Sequence, residues 1–193
     1  ITWFWAIRYE FYSSVDVAWS YGFGILAVIF AYTGDGWKTR TFLFALMISI
    51  WSIRLGTHLI TRLKAHYPKE DGRYSELRRK WSNNLHFSFL VFFLAQGLSV
   101  ILLSLPMVLV SLNPGDALVW QEYLGIILWF VAICGEALAD FQLKKFKEDP
   151  ANQGKVCSVG LWKYSRHPNY FFEWMIWISF FTFASGSPQG YWT

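Results

Sequence analysis

Charge is what this sequence has least of. Only 16% of its 193 residues are Asp, Glu, Lys or Arg, where soluble domains carry about 25%. Two cysteines are too few for a disulfide scaffold. Cys134 sits in an apolar run and Cys157 in a polar loop, so the pair says nothing about redox compartment. Six prolines and 14 glycines exclude collagen-like repeats and low-complexity chains. No Gly-x-Gly-x-x-Gly fingerprint, P-loop, Gly-x-Ser-x-Gly elbow or zinc spacing is present, which excludes the soluble cofactor folds built on them. His58, His66, His86 and His167 are too scattered to suggest a metal site. Alternating ten-residue strands are missing, which disfavours an outer-membrane barrel. What is there is apolar: 54% hydrophobic and 21% aromatic residues, with a mean hydropathy of +0.29. The composition predicts an all-α polytopic membrane helix bundle.

A spanning helix needs about 20 mostly apolar residues. Residues 17–34 and 41–61 meet that need, the second carrying Arg54 and His58. Residues 81–115 are uncharged and longer than one span, which predicts a tilted helix bent at Pro106 or a helix with a re-entrant end. Residues 117–135 give a fourth span. Residues 174–193, extended back to Pro168, give a fifth whose helix is expected to end near Ala184. Aromatic residues 1–12 read as an interfacial segment or the stub of an earlier span, and the absence of an opening Met suggests that Ile1 is not the biological start. No repeat or linker divides the chain, so residues 1–193 read as one transmembrane domain.

Five spans place loops 62–80 and 140–168 on one side. These hold seven and six Lys and Arg, and with Arg8 that side has fourteen of the seventeen. The positive-inside rule puts it in the cytoplasm or its equivalent, without distinguishing endoplasmic reticulum, bacterial inner membrane or organelle. The net charge of +4 follows from this topology, which disfavours nucleic acid as a partner.

Four constellations carry the polar chemistry. Arg54, His58 and Arg62 share a helical face at four-residue spacing, and a charge in mid-span points either to function or to pairing with a membrane carboxylate. Glu136, Asp140 and Lys144 repeat that spacing where the fourth span emerges; Lys144, Lys145 and Lys147 read better as helix-exit charges or contacts to anionic lipid headgroups. Gly160-Leu-Trp-Lys-Tyr-Ser-Arg-His-Pro-Asn-Tyr-Phe-Phe-Glu173 is the most informative. Pro168 suits the first position of a helix, so Arg166 and His167 stand before a terminus that favours an anion. Asn169, Glu173 and Trp177 then form one stripe, which suits either a phosphate with a polar ring system or a capped helix whose Glu pairs with Arg54. Asp71-Gly-Arg-Tyr74 reads as a solvated turn or as a contact to a nucleotide 2′-phosphate.

The ordered set Asp16-x-x-Trp19, Trp51-x-x-Arg54-Leu-Gly, Asp71-x-Arg-Tyr74, Glu136-x-x-x-Asp140-x-Gln142 and the motif at 160–173 resembles the DUF1295 group of the steroid 5-alpha-reductase-like membrane family. The shorter Arg-His-Pro-x-Tyr core is shared with isoprenylcysteine carboxyl methyltransferases and phospholipid methyltransferases. The resemblance implies a bundle of about seven helices with NADPH held between the C-terminal helices and the basic loops. It implies that Asp140 and Arg166 meet the phosphate and ribose region and that Asn169 and Glu173 meet the nicotinamide half, with His167, Tyr170 and Trp177 as further cofactor-binding residues. Arg54, Arg62 and Arg73 are its candidates for further phosphate contacts. Asp16 and Tyr9 are its candidates for the catalytic acid that polarises a substrate carbonyl. Family members continue past the last span into another helix and a tail, so terminal parts of the family fold are expected to be missing here.

The expectation is therefore an NADPH-dependent reductase of a carbon–carbon double bond in a lipophilic, steroid- or enone-like small molecule, surrounded by membrane lipids. A non-catalytic subunit docked on other membrane-protein subunits is the alternative. A methyltransferase using S-adenosylmethionine ranks third.

Overall fold

The computed structural model describes residues 1–67 and 70–192, without the side chain of His66. The expected contributions of Lys69, of the His66 side chain and of Thr193 thus lie outside the described residues. Among those residues the secondary structure is entirely helical: α1 (Thr2–Arg8), α2 (Ser14–Thr33), α3 (Lys38–His66), α4 (Gly72–Lys80), α5 (Leu85–Leu103), α6 (Leu105–Ser111), α7 (Trp120–Glu148) and α8 (Pro168–Ala184), with short 3-10 turns between some of them. Four stretches are long and apolar enough to cross a membrane: Ser14–Thr33, Lys38–Ala65, Ser82–Ser111 and Trp120–Glu148. The protein is an all-α membrane helix bundle.

The fifth expected span is shorter than the rest. α8 does begin at Pro168 and end at Ala184, but its 17 residues extend about 25 Å, against a hydrocarbon core of about 30 Å. The long uncharged run is also adjusted. Its helix breaks at Ser104, two residues before Pro106, because the proline ring has no N–H and suits the first turn of α6. Apolar residues on this stretch face outward: Leu94, Leu98, Ile101 and Leu102 are each more than half exposed, as lipid contact requires.

The chain forms two compact units, residues 1–114 and 115–193. In the first, α2 and α3 are joined by a short connector and pack through small residues and rings. A Cβ on Gly24 would lie 2.7 Å from Ser52 Oγ, and Ser52 Oγ donates to the Ser20 carbonyl at 2.7 Å. Close approach through small residues is the usual way membrane helices gain contact when lipid removes the hydrophobic drive. The Trp51 ring is fully buried against Phe23, centroids 5.6 Å apart. A second cluster of Ala6, Tyr12, Val15, Tyr74, Phe89 and Phe93 binds α1, α4 and α5 to the start of α2.

The second unit is the α7–α8 pair with its connecting loop. Gly125, Ala132, Glu136 and Ala139 are buried along α7, and Ile176, Phe180 and Phe183 along α8. A Cβ on Gly125 would meet Phe183 Cβ and backbone at 2.8 Å, and one on Gly135 would strike the Phe172 ring at 2.3 Å. These glycines set how closely the two helices approach.

Candidate functional site

α7 starts where the buried Glu122 carboxylate accepts the Val119 N–H at 2.8 Å, satisfying one free amide of the helix end. From there it delivers Asp140 and Gln142 to the connecting loop. Asp140 Oδ1 accepts from Asn169 Nδ2 across the pair at 3.4 Å, a long bond that leaves room to re-aim either group. Asn169 Oδ1 is buried and has no hydrogen-bond partner among the described residues. A buried acceptor left unpaired costs about 1–3 kcal/mol, which a donor brought to this atom would recover. One turn on, Glu173 Oε1 accepts from Trp177 Nε1 at 3.2 Å. The expected stripe of Asn169, Glu173 and Trp177 therefore exists, with Asp140 joined to its head.

The loop folds back on α7 through Gln142. Its Oε1 accepts the Leu161 N–H at 2.9 Å, and the Trp162 indole donates to the Ala139 carbonyl at 2.9 Å. Gly160 has φ +56, and a Cβ there would lie 2.4 Å from Gln142 Nε2, so both backbone shape and space require glycine. Ser165 Oγ accepts the His167 N–H at 3.2 Å, and the His167 ring stacks on Tyr170 at 5.2 Å.

Arg166 and His167 thereby reach the wall of a cavity of about 740 Å³, together with Lys147, Lys155, Cys157 and Trp162. No Asp or Glu lines it. None of Lys147, Lys155 and Arg166 is in an ion pair among the described residues; Lys144 pairs with Glu148 at 3.8 Å. Sequence reasoning took Lys147 as a helix-exit charge or headgroup contact and did not single out Lys155. The only signal for Lys155 was its place after Gly154, whose φ of +77 turns the loop.

The candidates in the first unit are engaged differently. Asp16 Oδ2 lies 2.6 Å from Arg73 and Asp16 Oδ1 accepts from Tyr74 Oη at 2.7 Å. Arg62 meets Asp71 at 2.5 Å, while Asp71 Oδ1 caps α4 by accepting the Arg73 N–H. Glu70 accepts the Tyr12 and Ser13 N–H groups at the start of α2 and also meets Arg78. Asp71-Gly-Arg-Tyr74 is thus a helix start tied to α2. Tyr9 is exposed, its ring 4.8 Å from Trp5. Arg54 is half-buried on α3, and His58 and Arg62 on the same helix are exposed.

Burial, with the Asp16 carboxylate beside it, pushes the Tyr74 hydroxyl far above its ordinary range. Burial also raises Tyr12, opposed in part by Arg78. Burial works against the Arg73 charge, yet Asp16 foremost among its neighbours holds that pKa above its usual value. Tyr12 and Tyr74 therefore stay protonated and Arg73 stays charged around neutral pH.

The sequence matches the family described as "Protein of unknown function (DUF1295)" over residues 2–193. An uncharacterized protein of Schizosaccharomyces pombe is 26% identical over 90% of this chain and 57% of its own length. A probable O-methyltransferase of Ustilaginoidea virens is 39% identical over 32% of this chain and 22% of its own length. The chain thus spans little more than half of the first relative and less of the second. No solved structure matches.

Proposed function

Given that the chain belongs to the DUF1295 family, we propose that it is a membrane-embedded, NADPH-dependent reductase of a carbon–carbon double bond in a lipophilic substrate. The observation that carries this reading is the cavity beside Arg166 and His167, lined by three cations and no carboxylate. NADPH has a pyrophosphate and a 2′-phosphate, so it needs several cations away from competing acids. A volume of about 740 Å³ lies within the usual range for cofactor sites, about 300–1,000 Å³.

Arg166 offers a planar guanidinium for bidentate phosphate binding, and Lys147 and Lys155 supply point charges. The α8 N-terminus, with Pro168 at its first turn, adds amide dipoles of the same sign. The orphaned Asn169 Oδ1 suits the amino group of a carboxamide, and Trp177 orients the Glu173 carboxylate through its indole N–H. The dinucleotide, when bound, supplies the hydride; binding, orientation and field fall to the protein.

A second reading is methyl transfer from S-adenosylmethionine, favoured by the local likeness to a probable O-methyltransferase. That cofactor has no phosphate and bears a sulfonium cation, which the cationic cavity repels. Titrating NADPH and S-adenosylmethionine into the purified protein in detergent separates the two. The reductase reading expects NADPH to bind and S-adenosylmethionine not to displace it; binding of S-adenosylmethionine that NADPH does not displace selects methyl transfer.

A further inference from the structure

A second cavity lies wholly within the first unit and takes no part in the reading above. It is about 390 Å³ and almost entirely apolar. Its floor is the small-residue face of α2, Ser14, Val17 and Ala18, and one wall is the α3 stripe Ile60, Leu63, Lys64 and Tyr67. Spacings of three, four and seven residues put that stripe on one side of α3. Phe11 and Tyr67 close one end, ring centroids 6.2 Å apart, and Trp5 of α1 supplies another wall. The volume suits one slender hydrocarbon chain.

The single charge among its described lining residues is Lys64. Four arginines of the first unit are held in ion pairs: Arg62 with Asp71, Arg73 with Asp16, Arg78 with Glu70 and Arg79 with Glu76. Lys64 is exposed and has no ion pair among the described residues. It sits near the end of α3, just before the chain passes from an apolar span into the polar, basic α4. That is the depth at which a long side chain reaches headgroups while its stem covers apolar surface.

We propose that this groove binds an anionic phospholipid of the surrounding membrane, with one acyl chain between α1, α2 and α3 and the phosphate on Lys64. The charge at the mouth complements an anionic headgroup, and the lining has no acid to repel one. The site is independent of the dinucleotide cavity and holds whichever cofactor reading is right.

The test uses the purified protein in phosphatidylcholine nanodiscs doped with phosphatidylglycerol or phosphatidylcholine bearing a diazirine on one acyl chain. After illumination, cross-links are mapped by mass spectrometry. Phosphatidylglycerol should label the segments 14–18 and 60–67 several-fold more than phosphatidylcholine. Lys64→Glu should bring that ratio to about one, while Lys80→Glu, outside the groove, leaves it unchanged. Ala18→Trp, which fills the groove, should lower labelling by both lipids. Should Ala18→Trp fail to elute as a folded species, the exposed Lys64→Glu decides alone. Equal labelling by the two lipids in the wild type, an unchanged ratio in Lys64→Glu, or an equal loss in Lys80→Glu overturns the proposal.

Discussion

The two units of this protein treat their charges in opposite ways. In residues 1–114 the carboxylates Asp16, Glu70 and Asp71 hold Arg73, Arg78 and Arg62, and Glu70 and Asp71 also accept backbone amides at the starts of α2 and α4. In residues 115–193 the cations Lys147, Lys155 and Arg166 line an open cavity with no acid among its described lining residues, and the buried Asn169 Oδ1 has no hydrogen-bond partner among the described residues. Charges closed on one another stabilise a fold. Exposed cations facing a cavity add little to the stability of the empty protein and are available to a ligand. Substitutions in the buried, paired cluster of the first unit should therefore lower stability, and those of the cavity cations in the second should lower binding.

The largest effect is expected at Tyr74, fully buried and hydrogen-bonded to Asp16. Tyr74→Ala should destabilise by about 3–5 kcal/mol, the range for emptying an aromatic core site, measured by denaturant unfolding in detergent. A near-neutral result would break the view that this cluster holds α4 to α2. Gly125→Val should cost about 1–3 kcal/mol by forcing α7 off the Phe183 backbone, seen in the same assay; it shows that the second unit is sensitive to packing even where it tolerates changes of charge.

Tyr74 and Tyr12 sharpen the comparison through pH. Both hydroxyls have raised values in the fold, so the folded state keeps protons that the unfolded state begins to lose near pH 10. Their contribution is complete below that point and is lost as pH rises beyond it. An unfolding series from pH 8 to 11 should show the fall, smaller in Tyr74→Phe. The smallest effect belongs to Arg79, whose pair with Glu76 is largely exposed at 3.8 Å. Arg79→Ala should change stability by about 0.5 kcal/mol or less.

Much of the bundle was legible because hydropathy acts over long windows: α2, α3 and α7 cover the expected apolar runs, and Pro168 and Ala184 bound the last helix as expected. The break at Ser104 was harder, since a proline marks a discontinuity without fixing which residue yields. At the site, four-residue spacing was enough to foresee the Asn169–Glu173–Trp177 stripe. The tie between Asp16 and Arg73 crosses 57 residues, and no local pattern encodes such a partner. Lys155 was invisible for a related reason: its place depends on Gln142 and Gly160 folding the loop back, which is a tertiary event.

The central claim is that the cations of the second unit serve a polyphosphate ligand and not the fold. It is tested most directly by titrating NADPH into the purified protein and into a Lys155→Glu, Arg166→Glu double variant, with unfolding of both followed without ligand. Hydrogen bonds to charged groups are worth about 1.5–3 kcal/mol each, so the variant should bind NADPH at least about tenfold more weakly while unfolding at the wild-type midpoint. Wild-type affinity in the variant, or a variant that loses stability without ligand, would contradict the account.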